Sequence, residues 1–154
     1  MSETERIAEQ LKRAFEGEAW HGPAVQEVLA GVTAAGAAAR PIASAHSIWE
    51  ITLHLAAWED AVRRRLTGER VELTDAEDWP PVTETTEAAW AALRARLESG
   101  NRALREAILR FDPDQLDRPP GANRSTAYVQ MHGAIQHDLY HAGQIAVLKK
   151  GIRA

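Results

Sequence analysis

The chain has 154 residues, 45% hydrophobic and 26% charged, which is the size and balance of one soluble domain with a core of ordinary extent. A net charge of -4 with no clustered basic face excludes nucleic acid as the main partner, because neutralising phosphates requires an excess of Lys and Arg. No apolar run approaches the ~20 residues of a membrane span and the polar start MSETERIAEQ lacks the apolar centre of a signal peptide, so a cytoplasmic protein without membrane contact is expected.

In chain order, a first helix is predicted from Glu3 to Gly17, with Ile7, Leu11, Ala14 and Phe15 inward. Trp20-His21-Gly22-Pro23 breaks it, and Pro23 is placed to open a short helix through Leu29. The alanine-rich stretch Ala34 to Ala39 reads as a short segment between turns. Ser47-Ile48-Trp49-Glu50 fits a capping box and starts a helix running to about Thr67. On that helix Ile48, Ile51, Leu55, Trp58, Val62 and Leu66 share a face, with His54 at its edge. Arg63-Arg64-Arg65, the basic run of the chain, reads as a solvated helix end whose charges suit the C-terminal dipole.

Gly68 to Val82 is irregular, acidic and broken by Pro80-Pro81. A long helix from about Glu84 to Phe111 carries Trp90, Leu93, Leu97, Gly100, Leu104, Ala107 and Phe111 at alternating spacings of three and four. That period belongs to helices packed at a shallow left-handed angle. Asp112 to Asn123, with three prolines, connects to a final helix from Ser125 to Lys150. Its residues form two opposed stripes, Tyr128, Met131, Ile135, Leu139, Ala142 and Ala146 on one side, Ala134, His137, His141, Ile145 and Leu148 on the other. Such a helix is covered twice, once by its own bundle and once by a ligand pocket or a second subunit. With no period-2 segment, the expectation is an all-α, four-helix bundle occupying 1–154 as one domain.

His137 and His141 stand one helical turn apart in HDLYH, so both imidazoles face the same way and reach one cation. A catalytic metal takes three protein ligands and keeps a position open, and His54, mid-helix beside an apolar face, is the candidate third. Glu50 and Trp58, one turn from His54, are candidates to orient its ring or wall a pocket, and Glu50 is a candidate base. Trp20 and Gln144 are further pocket candidates. Asp138 points about 100° away from His137, which favours a capping or interhelical hydrogen bond over a general base. His132 reads as structural beside Tyr128, and His21 and His46 as loop or pocket-rim residues. The chain has no cysteine, so any thiol chemistry must bring its sulfur on a substrate.

The blocks HGAIQHDLYHAGQIAVLKK, HSIWEITLHLAAWEDAVRRRLTGE and AWHGPAVQEVLAGVT together resemble the DinB superfamily, the DinB/YfiT-like metal-dependent hydrolases, over nearly the whole chain. The resemblance implies a bundle of the up-up-down-down type, commonly dimeric, holding a divalent metal, often nickel or zinc, on three histidines. Carried over by position these are His54, His137 and His141. It also implies enzymes that join bacillithiol- or mycothiol-like cellular thiols to electrophiles, or a thiol-dependent isomerase. Three functions follow as expectations: a metal-dependent thiol S-transferase, a hydrolase using water at the same metal, or a non-enzymatic helical binding module. A homodimer through the last helix or the helix at 47–67 is expected, with a small-molecule substrate.

Overall fold

Serine and threonine hydroxyls decide where the helices of this chain begin. The computed structural model describes residues 1–152. Ser2 caps α1 (Glu3–Glu16) through a full capping box with Glu5. A short α2 (Val25–Leu29) follows, then α3 (Ala34–Ala38), capped by the Thr33 hydroxyl. Ser47 caps α4 (Ile48–Leu66), Thr74 caps the single turn α5 (Asp75–Asp78), Thr86 caps α6 (Glu87–Arg110) and Thr126 caps α7 (Ala127–Gly151). Each such cap satisfies a backbone donor that the helix itself leaves unpaired, worth about 1 kcal/mol.

Several expectations are corrected by these caps. Pro23 does not open α2; Ala24 is the cap position, and its N–H is satisfied by the Glu27 carboxylate at 2.8 Å. The alanine stretch is helical because Thr33 caps it and because the Ala34 N–H donates to Glu87 on α6 at 2.9 Å. Thr86, not the residues near Glu84, sets the start of α6.

The described residues form an all-helical structure in which α4 packs on α6 and α7, and α1 packs on the same two. Two apolar clusters lie end to end along these four helices. One joins Phe15 with Ile48 to Ala56, Trp90 to Leu97 and Ala142 to Leu148; the other joins Ile7 to Leu11 with Val62, Leu66, Leu104, Ile108 and Met131. The order in which each helix passes through them gives its direction: α1 and α7 run one way, α4 and α6 the other. The chain therefore goes up, down, down, up, and not up-up-down-down as the resemblance implies. The connection 67–86 makes this possible, since its span exceeds the ~28 Å that a helix of this length must be retraced.

Between the clusters lies a polar layer. Glu59 of α4, Asn101 of α6 and Asp138 of α7 are each at most 2% exposed, and the Asn101 amide donates to Glu59 at 2.8 Å. Arg105 of α6 faces Glu59 and donates to Glu16 of α1 at 2.6 Å, so α1, α4 and α6 are tied at one level, where Asp138 of α7 faces Glu59. On α7 the first predicted stripe is buried at Met131 and Ala142, whereas Tyr128 is exposed and its ring lies against His132, centroids 4.3 Å apart. No helix among the described residues is long and apolar enough to cross a membrane.

Candidate metal centre

Mid-helix on α4, His54 presents its ring to the face of α7 that carries His137 and His141. The one-turn spacing of the latter two keeps them co-facial. His137 Nε2 lies 2.9 Å from His54 Nε2 and 3.1 Å from His141 Nε2. All three ligand atoms fall within 4.8 Å of one another, with His54 and His141 buried and His137 half-buried.

The outer nitrogens fix the tautomers. His54 Nδ1 is 2.7 Å from the backbone carbonyl of Asp78, an acceptor only, so that nitrogen carries the proton and donates. The Asp78 carboxylate lies 3.0 Å from the same nitrogen and also accepts from the Trp58 indole N–H at 2.6 Å. His141 Nδ1 donates in the same way to the Gln144 amide oxygen at 2.6 Å. Both Nε2 atoms are then bare lone pairs, and both are aimed at His137 Nε2, which has at most one proton to share between them. A cation satisfies all three. A tetrahedral first-row ion with bonds of about 2.0–2.1 Å places its nitrogens about 3.3 Å apart, close to the separations found here.

Burial prepares the nitrogens for this. It pushes the His137 imidazole down to about 3, aided by the neighbouring His141 and His54, and it pushes His141 down to about 4 against the opposing pull of its Gln144 hydrogen bond. Neither ring is protonated at neutral pH, so no proton must leave before a cation enters.

The site opens into a cavity of about 550 Å³ between α4 and α7. Trp58 and Trp79 wall it beside the imidazoles, and Glu59 and Asp138 lie along its inner side. Trp79 is held by its local sequence: it ends α5 and precedes Pro80, which excludes helical dihedrals there and turns the chain across the site. Its indole stacks on His54 at 3.8 Å and on His46 at 3.7 Å. Burial, and for Glu59 also the facing Asp138, raises both inner carboxyls above the ordinary range, and Glu59 Oε2 and both Asp138 oxygens have no conventional donor. A second cavity of about 660 Å³ lies on the far side of Trp79 and His141.

The predicted site residues divide accordingly. His54, His137, His141 and Trp58 meet at the first cavity. Gln144 holds His141 and lines the second cavity only. Glu50 is not brought to the histidines: its carboxylate accepts from the Ser47 N–H at 2.7 Å and from Arg40 at 2.7 Å, completing the α4 cap. Trp20 is fully exposed in the turn after α1 and lines neither cavity. Asp138 is interior and faces another helix, where Glu59 is its neighbour.

Asp78, Trp79 and Glu59 are absent from the sequence expectations. Thr74-Asp75-Ala76-Glu77 carries the cap signature that would have placed a helical turn before Asp78. Glu59 continues the Leu55–Val62 spacing and so marks a polar residue in the inward stripe.

A family model for the DinB superfamily matches residues 19–145. No curated protein and no solved structure matches the chain.

Proposed function

The chain belongs to the DinB superfamily, and from that premise we propose that His54, His137 and His141 hold one divalent cation, at which the protein joins a low-molecular-weight thiol to an electrophile. The observation that carries this reading is the convergence of three histidine Nε2 atoms on the wall of a cavity large enough for a small molecule. We read the four long helices as a four-helix bundle built around that wall.

When bound, a divalent ion such as zinc or nickel lowers the pKa of a thiol or water that joins it, supplying a nucleophile at neutral pH. The chain's own residues do the rest. Asp78 and Gln144 keep the Nε2 lone pairs of His54 and His141 turned inward. Trp58 and Trp79 exclude water from the histidine face and offer flat apolar walls to a substrate. The absence of cysteine means that the sulfur nucleophile arrives from outside.

The test is to load the protein with zinc or nickel and offer a panel of cellular thiols with a model electrophile. Conjugation that requires the metal and is lost in His137→Ala is expected. Conjugation no faster than background with any thiol overturns the reading. A second reading, hydrolysis with water as nucleophile, is supported by the Glu59 and Asp138 carboxyls beside the same cavity. Metal-dependent turnover of an ester panel without thiol, reduced in Glu59→Gln, would favour it.

A further inference from the structure

The run Arg63-Arg64-Arg65 reads in the sequence as a solvated helix end, and two of its members behave as one. Arg63 pairs with Asp60 at 2.8 Å and Arg64 with Glu69 at 2.8 Å. Arg65 turns the other way and lines the histidine cavity, and no carboxylate among the described residues pairs with it. Its acidic neighbour, Glu72, is taken by Arg70 at 3.0 Å. Burial pulls the Arg65 guanidinium below its ordinary value, so the cation has given up water without gaining a counter-ion.

The guanidinium is also held in one orientation. Its Nε and Nη2 both donate to the Val71 carbonyl, at 2.9 and 2.7 Å. Asn123 fixes that segment by accepting from the Val71 N–H at 3.4 Å and donating to the carbonyls of Glu69 and Pro120 at 2.8 and 2.7 Å. One edge of the planar group is thereby spent, and the Nη1/Nη2 edge is left without a protein partner. The Trp58 ring supports the guanidinium, with its centroid 5.3 Å from Cζ, and lies 6.0 Å from the His137 imidazole on its other side. A third cavity of about 310 Å³ shares Arg65, Ser125 and Gln130 with the histidine cavity. Gln130 is buried; its amide N–H donates to the Ser125 carbonyl at 2.9 Å, and its Oε1 has no donor. A guanidinium edge and a buried amide oxygen, both unmet, thus border the same passage, and unmet polar groups in such a place call for a ligand.

We infer that the small molecule bound in the histidine cavity is an organic acid, and that Arg65 selects it by holding its carboxylate. A planar carboxylate accepts two parallel N–H bonds from the free edge of the fork. One cation balances one monoanion, whereas a phosphate dianion brings a second charge towards Glu72 and Asp78, which border the same two cavities. The Gln130 Oε1 then accepts from a donor on the ligand or from a water carried in with it. This inference rests on the histidine cavity being the substrate site, and it holds whether the nucleophile there is a thiol or water.

Binding, not turnover, tests it. The metal-free full chain is titrated by calorimetry with 3-phenylpropionate, with its uncharged amide of the same length, and with phenyl phosphate. Working without metal keeps the carboxylate from answering to a cation on the histidines. The acid is expected to bind about tenfold tighter than the amide, the value of one charge-assisted contact. Arg65→Gln should bring the acid to the level of the amide and leave the amide unchanged, and Arg65→Lys should recover part of the preference. In wild-type protein the indole N–H resonance of Trp58 should move with the acid and much less with the amide, which decides the matter even where Arg65→Gln does not fold. Equal binding of acid and amide, no binding of the acid, or a preference that survives Arg65→Gln overturns the inference, and tighter binding of phenyl phosphate overturns the carboxylate. An Arg65-dependent acid preference in a protein that conjugates no thiol would leave the inference standing while the transferase reading fell.

Discussion

The Trp79 indole lies flat on the His54 imidazole, ring centroids 3.8 Å apart and planes 5° from parallel. Its other face is covered by His46 at 3.7 Å, so the indole is clamped between the entry to α4 and one of the three converging histidines. A stack of this kind contributes about 0.5–1.5 kcal/mol. Trp79→Ala is expected to weaken zinc or nickel binding by about three- to tenfold, and Trp79→Phe to recover most of it. Competition against a chromophoric chelator reads both. Equal affinity in all three proteins would show that the stack does not orient His54.

Asp78 offers His54 Nδ1 two acceptors, its carbonyl at 2.7 Å and its carboxylate at 3.0 Å. Removing an outer partner of a metal-ligating histidine commonly costs 10–100-fold in affinity. Asp78→Ala leaves the carbonyl, which alone holds the tautomer, so a loss below about tenfold is expected. The variant also strips the Trp58 N–H of its acceptor. Indole fluorescence should report that change even where the binding constant hardly moves, and a loss near a hundredfold would mean that the carboxylate, not the backbone, sets the ring.

How much of this was legible in the chain follows from the reach of local rules. Ser47 and Glu50 announce a cap, and the structure uses Glu50 for that cap, which is why the same residue is not free to serve His54. His137 and His141 are placed by helical spacing alone. Asp78 and Trp79 reach the site only through the path of the connection after α4, which no periodicity describes. The polar layer was half visible: Glu59, Asn101 and Asp138 each interrupt an apolar stripe, but that they meet at one level depends on helix directions. Trp20 shows the opposite failure, an aromatic read as a wall that the turn leaves in solvent.

The depressed imidazoles give a pH signature. His137 at about 3 and His141 at about 4 stay neutral where unfolded histidine, at 6.5, takes a proton. The unfolded chain therefore binds more protons below 6.5, and the metal-free protein loses stability from these two groups as pH falls from about 6.5 towards 4. Cation binding should be less pH-sensitive than for ordinary imidazoles, each of which would lose about tenfold in available lone pair by pH 5.5. Calorimetry from pH 8 to 5.5 should therefore miss the roughly hundredfold loss that two ordinary imidazoles at positions 137 and 141 would add; a fall of more than about a hundredfold contradicts the buried neutral pair.

The Glu59–Asp138 contact acts with the opposite sign. Burial raises both carboxyls, so the folded protein retains proton that the unfolded chain releases above about 4.3. Their contribution is fully present below the unfolded value and is lost as pH rises through the folded one. Asp138→Asn removes one of the two charges and gives Glu59 an amide donor in place of an acidic neighbour. At pH 8 the variant should melt higher than wild type, by about 2–4 °C for each kcal/mol of relieved repulsion. At pH 5, where the wild-type pair already holds its proton, the difference should close. Scanning calorimetry of the metal-free proteins at both values decides it. A gain of the same size at both would mean that packing, not the shared charge, is what the substitution changed. Because Asp138 precedes Leu139 on the turn that carries His137 and His141, the same variant also asks whether the polar layer holds that turn in place. An unchanged zinc affinity in Asp138→Asn would separate the stability of the layer from the geometry of the histidines.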